Sequence, residues 1–267
     1  MNSKKTALIT GASQGVGAEI ADILASKGFN LVITARSGEK LNALKNELTA
    51  KYSIEVFVFS ADLSDSGTPH ELKAFCDTNG IKVDLLVNNA GCGLFGESVE
   101  LGDKALTMLK LNILSLTQMC AVFGKDMKER KSGSILNIGS IAGNQPTAYF
   151  ASYAATKSYV FNYSLALRQE LKPYGVNVTV VQPGYIRTNF DNSCLITSEK
   201  YKKFSYNNGM SARAVAKCAV KSVLAKKSFV RAGFSNKCAA FFSNLLPRNL
   251  LAPILASSVR SMTKDSK

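Results

Sequence analysis

The chain has only one histidine, His70, among its 267 residues. Zinc sites built from several imidazoles, and Ser-His-Asp triads, are therefore strongly disfavoured. Ser140 lies in the sequence GSIAG, which differs from the G-x-S-x-G turn that presents a hydrolase nucleophile. We therefore interpret Ser140 as a hydrogen-bond donor and not as a nucleophile.

The chain also lacks paired cysteines, internal repeats, low-complexity tracts and an interdomain linker. Its length suits one α/β domain with a large core. We recognise no signal peptide or continuous apolar span, since the first strand pattern begins within five residues of the start. Scattered cysteines predict reduced thiols in a cytoplasmic protein; they are Cys76, Cys92, Cys120, Cys194, Cys218 and Cys238.

Acidic residues are almost missing from the last quarter of the chain. Residues 1–199 hold 19 Lys/Arg and 18 Asp/Glu, whereas residues 200–267 hold 14 Lys/Arg and one acid, Asp265. The apolar part of this region is interrupted by Pro247 and Pro253, which argues against a bilayer span. Two amphipathic helices could lie on an anionic membrane surface, or could cap the substrate cleft or a dimer partner. Nucleic acid is a weaker alternative, because no reading motif accompanies the charge.

Strand-like and helical patterns alternate along the whole chain. Such alternation predicts right-handed crossovers and an α/β fold with a Rossmann-type, doubly wound parallel sheet of about seven strands. Helices should cover both faces, and a helical extension should follow at the C-terminus. The predicted strands are KTALIT, NLVIT, IEVFVF, VDLLVNN, GSILNIG, VNVTVVQP and SFVRAG.

The first predicted strand runs into the glycine-rich turn GASQGVG and then a helical pattern. This order is the context of a dinucleotide site. Gly11 permits a sharp turn, Gly15 lets the backbone approach a pyrophosphate, and Gly17 allows close packing of helix on strand. Amide groups at the helix N-terminus would face the phosphates. The spacing G-x-x-x-G-x-G is not the common fingerprint, so the turn alone is weak evidence.

The end of the second predicted strand bears on the choice of nucleotide. A carboxylate at this position would bind the ribose hydroxyls of NAD, but the chain has Ala35 followed by Arg36. A guanidinium suits a ribose 2′-phosphate, which favours NADP(H). The alternative is that Arg36 is an ordinary surface arginine at a strand end.

Tyr153 and Lys157 are four residues apart in SYAATK, so on a helix they share one face. A fixed cation beside a phenol favours the phenolate and lowers the pKa of the phenol towards working pH. In isolation the pair would be read as a solvated helix surface. The nucleotide-binding turn elsewhere in the same chain favours a catalytic interpretation.

These sequences together resemble the short-chain dehydrogenase/reductase family, from about Lys4 to Gly233. The resemblance rests on TGASQGVG, Asp62-Leu63, NNAG, the two segments around Ser140 and Tyr153, and QPGYIRT. The nearest subgroup contains long-chain 3-oxoacyl reductases and related hydroxysteroid dehydrogenases. Gly139 departs from the family, where a second serine is common.

The resemblance implies a catalytic set of Asn112, Ser140, Tyr153 and Lys157. It also implies a cofactor-binding set for NADP(H), which comprises Gly11, Ser13, Gln14, Gly15, Val16, Gly17, Arg36, Asp62, Leu63, Asn89, Ala90, Gly91, Tyr153, Lys157, Pro183, Gly184, Ile186 and Thr188. No metal is expected.

The implied reaction is hydride transfer between nicotinamide and a carbonyl or secondary alcohol. Tyr153 would supply the proton, Ser140 would hold the carbonyl oxygen, and Lys157 would assist Tyr153 and bind the nicotinamide ribose. Asn112 would hold a water that links Lys157 to solvent, or would merely cap or kink a helix. Thr188 would bind the carboxamide, or would merely begin a helix.

The substrate is expected to be lipid-like, such as a 3-oxoacyl thioester, and the protein a homo-oligomer, either dimer or tetramer. Residues 1–233 would form the catalytic domain, with a lid at about 190–210, and residues 234–267 the basic extension. The rival hypothesis is a non-catalytic NADP-binding sensor or scaffold, for which loss of Tyr153 or Lys157 would be expected.

Overall fold

The computed structural model describes residues 4–188, 194, 196 and 198–263. Its main sheet has seven strands, and two short strands pair separately. The strands are β1 (Thr6–Thr10), β2 (Asn30–Ala35), β3 (Val56–Ser60), β4 (Val83–Asn88), β5 (Gly133–Ile138), β6 (Val176–Gln182), β7 (Ile186–Arg187), β8 (Met210–Ser211) and β9 (Phe229–Arg231).

All neighbouring strands of the main sheet are parallel, in the order β3-β2-β1-β4-β5-β6-β9. The prediction of a seven-stranded, doubly wound parallel sheet is therefore confirmed. The direction of strand addition reverses between β1 and β4. In such folds a ligand binds at this reversal, beyond the carboxyl ends of the strands.

Helices cover both faces of the sheet. They are α1 (Gly15–Ala25), α2 (Gly38–Lys51), α3 (Thr68–Thr78), α4 (Gly102–Leu109), α5 (Leu116–Glu129), α6 (Ala151–Leu171), α7 (Glu199–Asn208), α8 (Ala212–Leu224), α9 (Phe234–Leu245) and α10 (Arg248–Thr263). Short 3₁₀ turns lie at residues 98–100, 141–144 and 172–174.

The two faces of the sheet build two separate cores. In β1, Ala7 and Ile9 belong to the core under α1, α2 and α8, whereas Leu8 belongs to the core under α3, α5 and α6. Successive side chains of a strand point to opposite faces, and here both faces are dry. This double burial explains why the predicted strands are apolar at nearly every position.

A continuous helix joins α4 to α5 through a π-helical segment, Lys110–Ser115. An 18-residue window within Gly102–Glu129 has a mean hydropathy of 1.4, enough by length and composition for a membrane span. Hydropathy therefore does not exclude a span here, contrary to the expectation from the sequence. Met119, Phe123 and Met127 pack against β4 and β5, so core packing accounts for much of this apolar character.

The C-terminal helices pack on the rest of the chain. Helix α9 contacts the 3₁₀ turn at residues 141–144, and α10 contacts α7. The Ser198 hydroxyl donates to the Met262 carbonyl at 2.6 Å, and Met262 packs against a small core that includes Tyr201. Of the predicted lid, residues 190–193, 195 and 197 lie outside the described residues.

We predict that Gly17→Ala will destabilise the fold by several kcal/mol. A β-carbon at Gly17 would lie 2.2 Å from the Gly11 carbonyl oxygen, so α1 would have to move away from β1. The matched control is Gly124→Ala in α5, where the nearest side-chain atoms are 3.7 and 3.9 Å away. That change should be neutral or should stabilise by about 0.5–1 kcal/mol. Urea unfolding of both variants measures the difference, and equal stability would contradict the packing role of Gly17.

Candidate active site

The glycine-rich turn lies at the carboxyl end of β1, at the reversal of strand order. Gly11 and Gly15 have φ angles of +64° and +61°, the left-handed region that glycine enters without strain. Ala12 and Val16 are buried beneath the turn, whereas Ser13 is half-buried and Gln14 is exposed. The turn thus presents its backbone and polar side chains outwards.

Hydrogen bonds from the segment after β4 hold this turn in place. The Thr10 hydroxyl accepts the amides of Asn89 and Ala90 at 3.0 and 2.9 Å. The Asn89 side chain donates to the carbonyls of Thr10 and Gly11 at 3.0 and 3.2 Å. Asn89 therefore fixes the shape of the turn, and its predicted contact with the cofactor stays a prediction.

The N-terminus of α1 suits a pyrophosphate. The side chain of its N-cap residue, Gln14, makes no capping hydrogen bond, and its first turn contains no acidic residue. Among the described residues, a β-carbon at Gly15 would meet only the Thr188 side chain, at 3.6 Å, so this backbone is open to close approach. Uncapped amides and the positive end of the helix dipole bind anions. The residues present therefore fit a dinucleotide.

Arg36 and Asp62 lie side by side at the ends of β2 and β3. Their nearest charged atoms are 3.8 Å apart, and the Arg36 side chain is 82% exposed. Such an exposed pair holds the guanidinium only weakly, so it could bind a phosphate instead. The Asp62 carboxylate also accepts the amide and hydroxyl of Ser64 at 2.9 and 2.8 Å. Leu63 is buried in the core beside this turn.

Lys157 lies on the buried face of α6. Its ammonium nitrogen donates to the Ile138 carbonyl at 3.1 Å and lies 5.8 Å from the centre of the Tyr153 ring. Burial lowers the pKa of Lys157 to about 8, and Cys92 opposes this shift slightly. Gly91 keeps space beside the ammonium, because a β-carbon there would be 3.4 Å from it. The structure therefore joins Tyr153 and Lys157 as the sequence predicted.

Ser140 lies at the carboxyl end of β5 and begins the 3₁₀ turn at residues 141–144. Its hydroxyl oxygen accepts the Ala142 amide at 3.1 Å. Because the oxygen accepts there, the hydroxyl hydrogen remains able to donate to a substrate. The Ile141 amide donates to the Pro183 carbonyl at 2.9 Å, which ties this turn to the segment after β6.

Asn112 lies in the π-helical segment and is 2% exposed. Its amide nitrogen donates to the Cys92 carbonyl at 2.8 Å and to the Thr156 hydroxyl at 3.1 Å, and its oxygen accepts the Cys92 amide at 3.0 Å. Asn112 therefore clamps the segment after β4 to α6. The predicted water relay stays a prediction. The backbone groups of Cys92 were not predicted, because amide and carbonyl contacts leave no trace in residue type.

The segment after β6 crosses above the same edge of the sheet. Pro183 is buried, whereas Gly184, Ile186 and Thr188 are half-buried. A β-carbon at Gly184 would lie 2.3 Å from the Asn236 side-chain oxygen, so α9 packs directly on this segment. The Asn236 side-chain amide donates to the Ala232 backbone carbonyl at 2.6 Å. The C-terminal extension is thus in contact with the predicted cofactor site.

An aromatic cluster adjoins Tyr153, and the sequence analysis did not identify it. The Phe150 ring lies 6.1 Å from the Tyr153 ring and 5.1 Å from the Phe95 ring, centre to centre. The sequence TAYFASY already places Tyr149, Phe150 and Tyr153 close together along the chain. Only the fold brings the other rings of the cluster next to them. Its members are Phe95, Tyr149, Phe150, Tyr153, Tyr185 and Tyr201.

We predict that the stability of the protein will respond to the ionisation of Lys157. Below about pH 8 both the folded and unfolded chains carry the ammonium, so the folded state bears the full cost of burying it. Between about pH 8 and 10.5 only the unfolded chain keeps the proton, so stability rises with pH. Relative to Lys157→Met, the wild type should gain about 2 kcal/mol between pH 8 and pH 9.5.

Urea unfolding at the two pH values measures this gain. Lys172→Met, at the exposed end of α6, controls for loss of a lysine from this part of the chain. A constant difference between wild type and Lys157→Met would contradict the assigned burial of charge.

The chain is similar in sequence to several known proteins. A very-long-chain 3-oxoacyl-CoA reductase of Podospora anserina is 37% identical over 183 residues, which cover 66% of this chain and 53% of that protein. A protein of the same name from Mus musculus is 30% identical over 222 residues, which cover 81% of this chain and 68% of that protein. The chain spans about half the length of several such relatives.

Solved structures share the fold over nearly the whole chain. A short-chain dehydrogenase from Sphingobium yanoikuyae in complex with NADPH has a TM-score of 0.80 and 27% identity, covering 90% of this chain and 93% of that one. A 7beta-hydroxysteroid dehydrogenase has a TM-score of 0.83 at 23% identity, covering 94% of this chain and 96% of that one, and supports the fold alone. The family model for short chain dehydrogenases matches residues 5–197, and the chain belongs to this family.

Proposed function

We propose that the protein is an NADP(H)-dependent oxidoreductase that interconverts a carbonyl and a secondary alcohol. The observation that carries this proposal is the buried Lys157 ammonium beside the Tyr153 ring, at the edge of the sheet where Ser140 also lies. The family and the NADPH complex of the Sphingobium relative support the same reaction class.

The chain offers a site for each part of the dinucleotide. When bound, the nicotinamide supplies the hydride. The uncapped amides of α1 would bind the pyrophosphate, and Arg36 would bind the ribose 2′-phosphate. Lys157 would bind the nicotinamide ribose, and Thr188 would bind the carboxamide.

Polar side chains of the protein would then transfer the proton. Tyr153 would give its hydroxyl proton to the carbonyl oxygen of the substrate, while Ser140 donates a hydrogen bond to that oxygen. The Lys157 ammonium, in a dry environment, stabilises negative charge on the phenol oxygen. Asn112 would keep Lys157 and the segment after β4 in place through its three hydrogen bonds.

A hydrophobic substrate fits the aromatic cluster beside Tyr153. Phe150 and Tyr201 are buried, whereas the half-buried rings of the cluster would offer apolar contact area near the reacting carbonyl. Several relatives are named very-long-chain 3-oxoacyl-CoA reductase, and we propose a 3-oxoacyl thioester or a similar lipid ketone as substrate. The rival hypothesis of a non-catalytic sensor is disfavoured, because a chain that had lost catalysis would be expected to lack Tyr153 or Lys157, and both are present.

We predict that Tyr153→Phe will lose about 10²–10⁴-fold in turnover of 3-oxoacyl thioesters, since it removes the proton donor. NADPH binding should be nearly unchanged, because most predicted cofactor contacts lie elsewhere. Turnover is followed by NADPH absorbance with acyl chains of graded length, and binding by NADPH fluorescence.

The matched control is Tyr159→Phe, on the same helix, whose hydroxyl instead contacts the Thr117 hydroxyl at 2.9 Å. It should keep most of the activity. A loss below tenfold in Tyr153→Phe would refute the assigned role. Binding of NADPH without turnover of any ketone by the wild type would favour the sensor hypothesis.

We predict that Ala35→Gly combined with Arg36→Asp will shift preference from NADPH towards NADH. The new carboxylate would repel a 2′-phosphate and could accept a ribose hydroxyl. Loss of a charge-assisted contact predicts about a 10- to 100-fold rise in the KM for NADPH. Lys27→Asp, just beyond the far end of α1, makes the same charge change away from the site and should have little effect. A wild type that already prefers NADH would contradict the choice of NADP(H).

A further inference from the structure

The outer face of the C-terminal helices is unusually apolar. In α9, Phe234 and Leu245 are 81% and 63% exposed, and in α10 Ile254 is 58% exposed. Phe241 and Leu250 are exposed as well. Spacings of seven and four residues place Phe234, Phe241 and Leu245 on one side of α9, and a spacing of four places Leu250 and Ile254 on one side of α10. We call these five side chains the outer apolar face.

This exposure does not arise from helices that have failed to dock. Ala240 of α9, together with Leu251 and Val259 of α10, is buried on the inner side. Asn236 packs on Gly184, and the Arg260 guanidinium donates to the Tyr149 hydroxyl at 2.8 Å. Both helices are therefore held by their inner sides, and the outer apolar face is directed away from the core.

The chain segment that forms these helices carries charge of almost one sign. The chain contains no acidic residue from position 200 to position 264, and residues 200–267 carry a net charge of +13. Lys237 and Arg248 are exposed on the same two helices as the outer apolar face. A surface that combines large apolar side chains with an excess of cations matches an anionic lipid headgroup layer above an apolar interior.

We propose that the outer apolar face docks on an anionic lipid bilayer. Helix α9 has 12 residues, and α10 has 16 with Pro253 inside, so both are too short to cross a bilayer and would lie along its surface. A second copy of the chain is a poorer occupant, because a symmetric contact would bring together two copies of a segment that holds cations but no acid between positions 200 and 264. Nucleic acid would satisfy the cations but would leave the leucine and isoleucine side chains without an apolar partner.

The site and the lipid surface would then be neighbours. The same α10 that carries Ile254 outwards holds Tyr149 of the aromatic cluster through Arg260. Removal of residues 234–267 would therefore disturb the active site as well, so point substitutions are the better test. The docking proposal does not depend on the identity of the substrate.

The test is co-sedimentation of the full chain with phosphatidylcholine vesicles and with vesicles of phosphatidylcholine and phosphatidylglycerol. The wild type should sediment only with the anionic vesicles, and salt should release it as the Debye length falls from about 10 Å at 0.1 M to 3 Å at 1 M. The triple variant Phe234→Ser, Leu245→Ser, Ile254→Ser should lose binding. Melting temperature and circular dichroism establish that each variant is folded.

The matched apolar control is the triple variant Val99→Ser, Leu106→Ser, Leu114→Ser, which removes side chains of 86%, 54% and 57% exposure elsewhere. It should bind vesicles as the wild type does. Lys237→Glu with Arg248→Glu should weaken binding by about 25-fold or more, at about fivefold for each cationic charge lost.

The charge control is Lys217→Glu with Lys221→Glu, on α8, which packs on α1. It should weaken binding much less. Equal sedimentation of wild type and the Phe234/Leu245/Ile254 variant would overturn the proposal. So would binding to nucleic acid but not to vesicles, or a wild-type oligomer that dissociates in this variant and does not bind lipid.

Discussion

Much of the site depends on the burial of one ammonium group. Lys157 is 7% exposed, and among the described residues no carboxylate forms an ion pair with it. A buried charge is costly unless polar groups face it, and here the Ile138 carbonyl takes one of its hydrogens. That carbonyl belongs to Ile138, the last residue of β5. The end of the strand thus fixes where α6 must present its lysine.

Side-chain hydrogen bonds hold the strand ends of the site in place. Thr10 and Asn89 lock the end of β1 to the end of β4, and Asn112 locks the next segment to α6. Beneath them, the Asn88 side-chain nitrogen donates to the Asn137 side-chain oxygen at 2.9 Å, and the Asn137 side-chain nitrogen donates to the Ser164 hydroxyl at 2.9 Å. Hydrogen-bond networks of this kind are strong in a dry core, because a missing bond would leave a buried polar group without a partner. They hold three strand ends and α6 in a single arrangement.

The C-terminal helices have two different sides. Their inner sides reach the segment after β6 through Asn236 and the aromatic cluster through Arg260. The cleft-capping position considered from the sequence is therefore consistent with these contacts, while the outer apolar face leaves room for a lipid surface. The two alternatives that composition alone set against each other are compatible, because they use opposite sides of the same helices.

The sequence by itself determined the sheet, the nucleotide-binding turn and the pairing of Tyr153 with Lys157. These features depend on local order: apolar runs buried on both faces, glycines at positive φ, and residues four apart on a helix. Only the tertiary structure decided that Asn89 and Asn112 bind backbone groups, that the rings of Phe95 and Tyr201 approach Tyr153, and that the C-terminal helices meet the site. Such contacts join residues far apart in the chain, and many end on amides and carbonyls that every residue shares. Residue type therefore carries no signal for them, and the packing of the strand ends decides which groups meet.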